Sequence, residues 1–319
     1  MPDCDNDSFP KVPAVDAAEM APASLRRSLA ALVTRRYPFL SGCGSFANSG
    51  VVQMLAGRHS GAAWCPTPGG QLLAPMEDYI GRAAYLVGDL DRKISTICRQ
   101  IVRPGDVVLD VGANIGLVSL LLARLVGPTG RVHAFEPQPR LARMLAASLQ
   151  KNGFQNTTLH EIALGDSVGK LQMHVPGHNA GAATLVNDRI RSDSGSLYVD
   201  VRTLDDVLAA DQNSRIRLMK IDVEGYESQV IKGAQSIMRE RRPEAVIFEL
   251  NDGQKNFTQN EIVQLLRSYQ YTFFAIPRCV TRMKLLPASD HAADGLGAND
   301  FLACATESII AELGNWVSR

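Results

Sequence analysis

Acidic side chains follow two predicted strands at the points where those strands end. The first strand runs into Asp110 and is followed by the glycine turn Gly112-Ala-Asn-Ile-Gly116, and the second ends in Glu136. A strand, a glycine turn and a helix in this order bring backbone N–H groups up to a bound cofactor. A carboxylate such as Glu136 can accept hydrogen bonds from both hydroxyls of a ribose. Because parallel strands place these ends at one sheet edge, the sequence predicts a nucleoside cofactor site.

The composition of the turn discriminates among cofactors. A dinucleotide fingerprint requires glycine where this chain has Asn114 and Leu117, and a phosphate loop requires a lysine that the turn lacks. Asp110 would repel a pyrophosphate but attract an ammonium group. S-adenosylmethionine has an ammonium group and no phosphate, so we expect it here, with Asp110 facing the ammonium and Asn114 bonding the carboxylate. The residues expected around its methionine end are Asp110, Gly112, Ala113, Asn114 and Gly116.

The rest of the cofactor is assigned to the next two strand ends. Glu136, followed by Pro137, should take the ribose. The turn Ala163-Leu164-Gly-Asp166 follows the third strand of the predicted sheet, where the adenine should stack.

A second acidic cluster, Asp222 and Glu224, ends another predicted buried strand, and Glu249 ends its neighbour. Three interpretations are open. Asp222 or Glu224 could take the proton of a substrate hydroxyl while the other acids hold sugar hydroxyls. Alternatively, Asp222, Glu249 and Asn251 could bind a magnesium-like cation, or the first two acids could only cap the helix expected near Gly225. We favour the general base and predict no metal.

Two further side chains could take part in proton transfer. His178 lies in a glycine-containing loop that could close over a substrate, although an exposed loop histidine is an equally simple explanation. Lys220 is expected to be an ion-pair partner for a carboxylate and not a nucleophile.

The bulk composition excludes several classes of protein. The 319 residues carry 33 basic and 33 acidic side chains, so no overall charge favours nucleic acid or an anionic membrane. The six cysteines show no metal-ligand spacing, and the longest apolar run, 117–126, is too short to cross a bilayer. The N-terminus has no basic signal-peptide region. We expect a soluble, cytoplasmic protein.

The chain predicts an α/β fold in which strands and helices alternate. We expect residues 1–65 to be an N-terminal extension, partly disordered or helical, and residues 66–319 to be one Rossmann-like, doubly wound domain. Residues 42–70 should be loop with a short helix, 225–240 one helix, and 171–201 a small β-hairpin insertion. The seven strands of the mostly parallel sheet are expected near 107–111, 131–136, 157–163, 216–222, 244–250, 271–277 and 300–305.

Several of these segments resemble the FkbM family of S-adenosylmethionine-dependent methyltransferases. They are Leu109-Asp-Val-Gly-Ala-Asn-Ile-Gly116, Phe135-Glu-Pro137, Ile162-Ala-Leu-Gly165, Thr203-Leu-Asp205 and Lys220-Ile-Asp-Val-Glu-Gly-Tyr-Glu227. The resemblance implies a class I methyltransferase fold and methylation of a hydroxyl on a sugar, glycolipid or polyketide-like product. One departure is Gly88-Asp-Leu-Asp91, where the family often has a glutamate.

The acceptor is expected to be a small molecule or a glycan. Other functions that we keep open are N-methylation, a non-catalytic partner or sensor that only binds the cofactor, and, disfavoured by Asn114 and Asp110, a nicotinamide oxidoreductase.

Overall fold

A computed structural model describes residues 20–22, 24–57, 60–176, 183–186, 194–211, 214–240, 243–250, 257–288 and 298–317. The strands in this part of the chain are β1 Ala62–Pro66, β2 Gln71–Pro75, β3 Val107–Val111, β4 Arg131–Phe135, β5 Thr157–His160, β6 Ala163–Leu164, β7 Gly169–Pro176, β8 Ser194–Arg202, β9 Ile216–Ile221, β10 Pro243–Glu249, β11 Thr272–Ile276, β12 Leu286–Pro287 and β13 Asp300–Cys304. The helices are α1 Leu25–Thr34, α2 Cys43–Ala47, α3 Gly50–Ala56, α4 Tyr79–Val87, α5 Arg92–Ile101, α6 Leu117–Val126, α7 Pro139–Asn152, α8 Leu204–Val207, α9 Glu227–Lys232, α10 Gln235–Arg239, α11 Glu261–Ser268 and α12 Glu307–Leu313.

The large sheet confirms the predicted Rossmann-like architecture. Its strand order is β12-β11-β13-β10-β9-β3-β4-β5. The five strands from β10 to β5 are parallel, and β13 runs antiparallel to both of its neighbours. All seven expected strands are present in it, and the two-residue β12 adds an eighth at the edge.

Helices cover both faces of this sheet, as the doubly wound prediction requires. Alternate residues of β3 illustrate this, because Val108 packs among α5, α6 and α12 whereas Leu109 packs among α9, α10 and α11. Strands that are buried on both faces are apolar along their whole length. Acidic residues at the ends of such apolar strands are therefore positioned at the edge of the sheet.

The hairpin insertion is confirmed as well. Strands β7 and β8 pair antiparallel from Gly169↔Val201 to Pro176↔Ser194, and β6 lies parallel to β8. Thr184 belongs to the segment that connects β7 and β8 along the chain, and it exchanges backbone hydrogen bonds with His174 of β7. Part of the connection between β7 and β8 is therefore hydrogen-bonded to the small sheet.

The prediction of loop with a short helix for residues 42–70 was only partly right. This segment contains α2, α3 and β1, and β1 pairs with β2 across the proposed boundary at residue 65, whose placement stays a prediction. Short apolar runs between glycines and serines carry too few turns to show a helical period. Tertiary packing of Cys43, Ala47 and Val52 against α4 stabilises these helices instead.

The single helix expected over 225–240 is two helices, α9 and α10. The break falls at Gly233, where an added Cβ would lie 1.8 Å from the Gly165 carbonyl oxygen. Close backbone packing against the turn after β6 therefore interrupts this helix. Among the helices described, none combines the length and apolar character that crossing a bilayer would need.

Candidate active site

A cavity of about 940 Å³ opens at the carboxyl ends of β3, β4, β9 and β10. Its lining includes the turn after β3 and residues from the segments 37–45, 89–93 and 278–280. The charged side chains that line it are Asp89, Asp91, Lys93, Glu136, Lys220, Asp222, Glu224, Glu249, Arg278 and Asp300. The sequence argument placed the second acidic cluster and Glu136 at one sheet edge, and the structure brings them to one cavity.

The backbone amides of the glycine turn are already bonded within the protein. The N–H groups of Gly112 and Ala113 both donate to the Phe135 carbonyl, at 3.0 and 2.9 Å. Asn114 N–H donates to Glu136 Oε2 at 2.8 Å, and Gly116 N–H donates to the Ala113 carbonyl at 2.9 Å. The expectation that this turn offers bare N–H groups was therefore wrong, because the amides fix the turn's own shape.

Both glycines of the turn are required by geometry. Gly112 has φ +80° and an added Cβ would lie 1.9 Å from the Asp222 carbonyl oxygen, while Gly116 has φ +92° and faces Leu145 Cδ1 at 2.2 Å. Positive φ disfavours larger residues at both positions, and at Gly112 the backbone carbonyl of Asp222 also leaves no space for a side chain. Close approach of Gly112 to Asp222 brings the cofactor turn against the end of β9. Of the turn residues, Gly112, Ala113, Asn114 and Ile115 line the cavity.

Glu136 joins the first two strand ends. Its Oε2 accepts from Asn114 N–H and its Oε1 from Gln138 N–H, both at 2.8 Å. Only 3% of the residue is exposed. Burial raises the pKa of this carboxyl to about 7, against the lowering effect of the two backbone hydrogen bonds. The remaining lone pairs of a carboxylate so held are available to a ribose diol.

Asp110 lies behind the cavity wall and not at its surface, which corrects its expected direct contact with the ammonium. The side chain is fully buried; Oδ2 accepts from Ser119 Oγ at 2.5 Å, and Oδ1 faces Lys220 Nζ at 3.5 Å. Neighbouring strand side chains and α6 cover this carboxylate. Any effect on a ligand must pass through Lys220, which does line the cavity.

Lys220 is the ion-pair partner that the sequence predicted. Its ammonium lies 3.5 Å from Asp110 Oδ1 and 3.3 Å from Asp222 Oδ2. Burial lowers the pKa of this lysine, but the two carboxylates outweigh burial and raise the pKa overall. The ammonium therefore stays charged and ties the end of β9 to the end of β3.

Glu224 lies at the cavity in a strained backbone conformation. Its φ is +53°, in the left-handed region that non-glycine residues rarely adopt. Thr184 Oγ1 donates to its backbone carbonyl at 2.9 Å, so the hairpin insertion supports this conformation. Backbone strain of this kind, of order 1–3 kcal/mol, is concentrated at functional sites.

Neither Asp222 nor Glu224 caps the following helix, whose N-cap residue is Tyr226 and which has no side-chain cap. Helix α9 begins at Glu227, two residues later than expected. Glu227 Oε1 accepts from Gly225 N–H at 3.0 Å and from Val223 N–H at 3.3 Å. The capping interpretation of Asp222 and Glu224 loses its basis, and Glu227 is a structural acid that the sequence argument did not single out.

Glu249, at the end of β10, completes the acidic cluster. Burial, followed by the charges of Asp222, Asp300 and Glu224, raises the pKa of Glu249 to about 8. At neutral pH this carboxyl therefore carries a proton for much of the time. A protonated carboxyl donates a hydrogen bond, so Glu249 can hold an acceptor oxygen but is a poor candidate for the base below that pH.

The adenine side of the cavity is only partly as expected. Ala163, Leu164 and Pro137 line the cavity, and the first two are buried. Asp166 is exposed, accepts a hydrogen bond from Ser167 and lies outside the cavity lining, which corrects its assignment to the cofactor. The chain turns outward after the short strand β6, which carries this side chain to solvent.

Two expected participants fall outside the residues that the structure describes. They are His178, the alternative base, and Asn251, the third ligand of the metal alternative. Within the described ranges, no three histidine, cysteine or acidic side chains are arranged to hold a metal ion.

The sequence argument did not predict an ion cluster among the residues that line the cavity. Lys93 Nζ lies 2.9 Å from Asp300 Oδ2 and 3.3 Å from Asp91 Oδ2, and Asp89 accepts from Ser95 Oγ at 2.8 Å. The sequence feature that could have indicated this cluster is the pair of aspartates in Gly88-Asp-Leu-Asp91, where the family often has a glutamate. Lys93 and Asp300 are too far apart in the chain for a local pattern to pair them.

Comparison with known proteins places the chain in a family. A model of the methyltransferase FkbM domain matches residues 110–273, slightly more than half of the chain. The 31-O-demethyl-FK506 methyltransferase FkbM of Streptomyces tacrolimicus is 29% identical over 54% of this chain and 75% of its own length. The 2-O-methyltransferase NoeI of Sinorhizobium fredii is 29% identical over 54% of this chain and 77% of its own.

A further relative matches over a shorter stretch. The protein-L-isoaspartate O-methyltransferase of Aeropyrum pernix is 43% identical over 81 residues, which are 25% of this chain and 30% of that protein. The chain thus spans less than a third of this relative's length. The match to the domain model and the site geometry lead to one conclusion: the chain belongs to the FkbM family of methyltransferases, whose methyl donor is S-adenosylmethionine.

Proposed function

We propose that this protein transfers the methyl group of S-adenosylmethionine to a hydroxyl of a small-molecule or glycan acceptor. The observation that carries the proposal is the convergence of Glu136, Asp222, Glu224 and Glu249 on one cavity beside the glycine turn. The volume of about 940 Å³ lies near the upper end of the range of about 300–1,000 Å³ for small-molecule sites. Such a cavity has room for a cofactor and an acceptor together.

A hydroxyl acceptor fits the charges better than a carboxylate or phosphate acceptor does. The cavity lining has seven carboxyl groups and three cationic side chains, and two of those cations are already ion-paired with carboxylates. An anionic acceptor would be repelled, whereas sugar hydroxyls donate hydrogen bonds to carboxylates. The names of the FkbM and NoeI relatives both specify O-methylation, which supports the same choice for this chain.

The chain's own residues would divide the work as follows. Glu136 binds the ribose diol, and Gly112, Ala113 and Asn114 surround the methionine end. Asp110 acts indirectly, by holding the Lys220 ammonium against Asp222.

Glu224 is the proposed general base, and it is oriented by its strained backbone. The acceptor oxygen forms its bond to the methyl carbon as the carbon–sulfur bond breaks, and S-adenosylhomocysteine leaves. The proton of the hydroxyl passes to the Glu224 carboxylate. Alignment of oxygen and methyl with water excluded supplies much of the acceleration in such a displacement.

The test uses the full chain, radiolabelled S-adenosylmethionine and a panel of neutral polyols, glycans and macrolides, each with a carboxylated counterpart. We expect labelled methyl ethers, which survive alkaline hydrolysis, and no label on the carboxylated compounds where only the acid is available. Labelled esters, which alkali releases, would contradict a hydroxyl acceptor. Tight binding of S-adenosylhomocysteine without turnover on any acceptor would favour the non-catalytic cofactor-binding alternative.

A further inference from the structure

An exposed apolar face lies on helices α1 and α3, outside the region that matches the family model. On α1, Leu25, Leu29, Leu32 and Val33 are 54–78% exposed and recur at helical spacing. On α3, Val51, Met54 and Leu55 are 53–66% exposed. The two helices lie side by side, since Arg26 Nε donates to the Leu55 carbonyl at 2.9 Å. We call these seven side chains the α1–α3 face.

This face is not the core-facing side of the helices. Ala30, Ala31, Val52 and Ala56 fill that role, packed with Leu86 and Val87 of α4. Soluble proteins rarely expose large contiguous apolar patches without a binding role. The seven exposed side chains therefore indicate a binding surface.

The segment that carries the face is basic. From Met20 to Met76 the sequence contains no aspartate or glutamate and five arginines, although the whole chain has equal numbers of acids and bases. Arg26 and Arg36, near the two ends of α1, are exposed, and among the described residues their hydrogen bonds go to backbone carbonyls. A charge asymmetry of this kind indicates an anionic partner.

We propose that the α1–α3 face docks on an anionic lipid surface, with the apolar side chains entering the headgroup boundary and the arginines bonding lipid phosphates. Stable attachment at a membrane surface requires two such signals, apolar contact and basic charge. A second copy of the chain is the less suitable occupant. A two-fold interface would place Arg26 and Arg36 of each copy against the same basic segment of the other copy.

Docking would orient the cavity toward the lipid. Tyr37 and Phe39, which directly follow α1, line the cavity, and Phe39 is 38% exposed. The proposal does not depend on the proposed reaction, and its test measures no methyl transfer.

The test is co-sedimentation of the full chain with vesicles of phosphatidylcholine alone or mixed with phosphatidylglycerol. We expect binding to the mixed vesicles that weakens with added salt, and little binding to the neutral ones. Val33→Asp should weaken this binding at least about tenfold. The variant loses the apolar side chain that would be buried in the lipid, and it adds a negative charge that the anionic lipid repels. Arg36→Gln should weaken it about fivefold.

The matched control is Val168→Asp, at a residue that is 65% exposed, compared with 67% for Val33. Val168 lies by the hairpin insertion and should leave vesicle binding unchanged. Equal binding of wild-type protein to neutral and anionic vesicles, no binding to either, or equal losses for Val33→Asp and Val168→Asp would each overturn the proposal. Absence of vesicle binding together with a dimer that Val33→Asp dissociates in sedimentation equilibrium would assign the face to a second copy.

Discussion

Cofactor binding should depend on pH through Glu136. Its pKa is raised to about 7 by burial, and a ribose diol bonds the ionised carboxylate. The cofactor therefore prefers the deprotonated form: affinity is full above pH 7 and is lost as the pH falls below it. Since about nine-tenths of the group is ionised one pH unit above its pKa and one-tenth one unit below, the affinity for S-adenosylhomocysteine should fall about tenfold from pH 8 to pH 6.

Replacing Glu136 with glutamine should remove this pH dependence. Glutamine keeps the size but has a single acceptor oxygen, and the N–H groups of Asn114 and Gln138 both point at this side chain. Loss of charged hydrogen bonds worth about 1.5–3 kcal/mol should weaken binding about 10- to 100-fold at pH 8.

Isothermal titration of both proteins with S-adenosylhomocysteine from pH 6 to pH 8 measures both effects, with thermal melting to verify folding. The control ligand is an analogue that lacks both ribose hydroxyls, for which wild type and variant should bind almost equally. A wild-type affinity that does not change with pH, or an equal loss with the analogue, would refute the assignment of Glu136 to the ribose.

Four other predictions concern the reaction and the framework of the site. Glu224→Gln should lower the single-turnover rate about 10²–10⁴-fold at unchanged S-adenosylhomocysteine affinity, and a near wild-type rate would remove Glu224 as the base. Turnover should survive exhaustive chelation, whereas loss with EDTA and recovery with magnesium would show a metal requirement. Lys220→Met should cost about 3–5 kcal/mol in denaturant unfolding because Asp110 stays buried without its cation, and a loss under about 1 kcal/mol would contradict that. Gly112→Ala should cost about 1–3 kcal/mol more than Gly127→Ala, whose φ of +62° is also positive but whose added Cβ meets nothing within 4 Å, and equal losses would contradict a steric requirement at Gly112.

Local patterns in the sequence were sufficient for the sheet. The seven expected strands of the large sheet are short runs of strand-forming residues bounded by turns, and all seven lie where they were expected. Short elements without a full period, such as α2, α3 and β1, were missed because packing against α4 and β2 determines them.

The sequence by itself determined the family and the edge of the sheet where the chemistry lies. The glycine turn, Glu136 and the Asp222–Glu224 pair are local signatures, since strand ends of a parallel sheet meet at one edge.

Only the tertiary structure decided which of these acids reach the cavity and in which protonation state. Asp110 is buried against Ser119 of α6 and paired with a lysine from another strand, Asp166 turns to solvent, and Glu227 bonds the backbone of the turn before α9. The pKa of Glu249, about 8, depends on carboxylates contributed by β9 and β13. The physical reason is that burial and Coulomb energy depend on separation in space, which sequence separation does not specify.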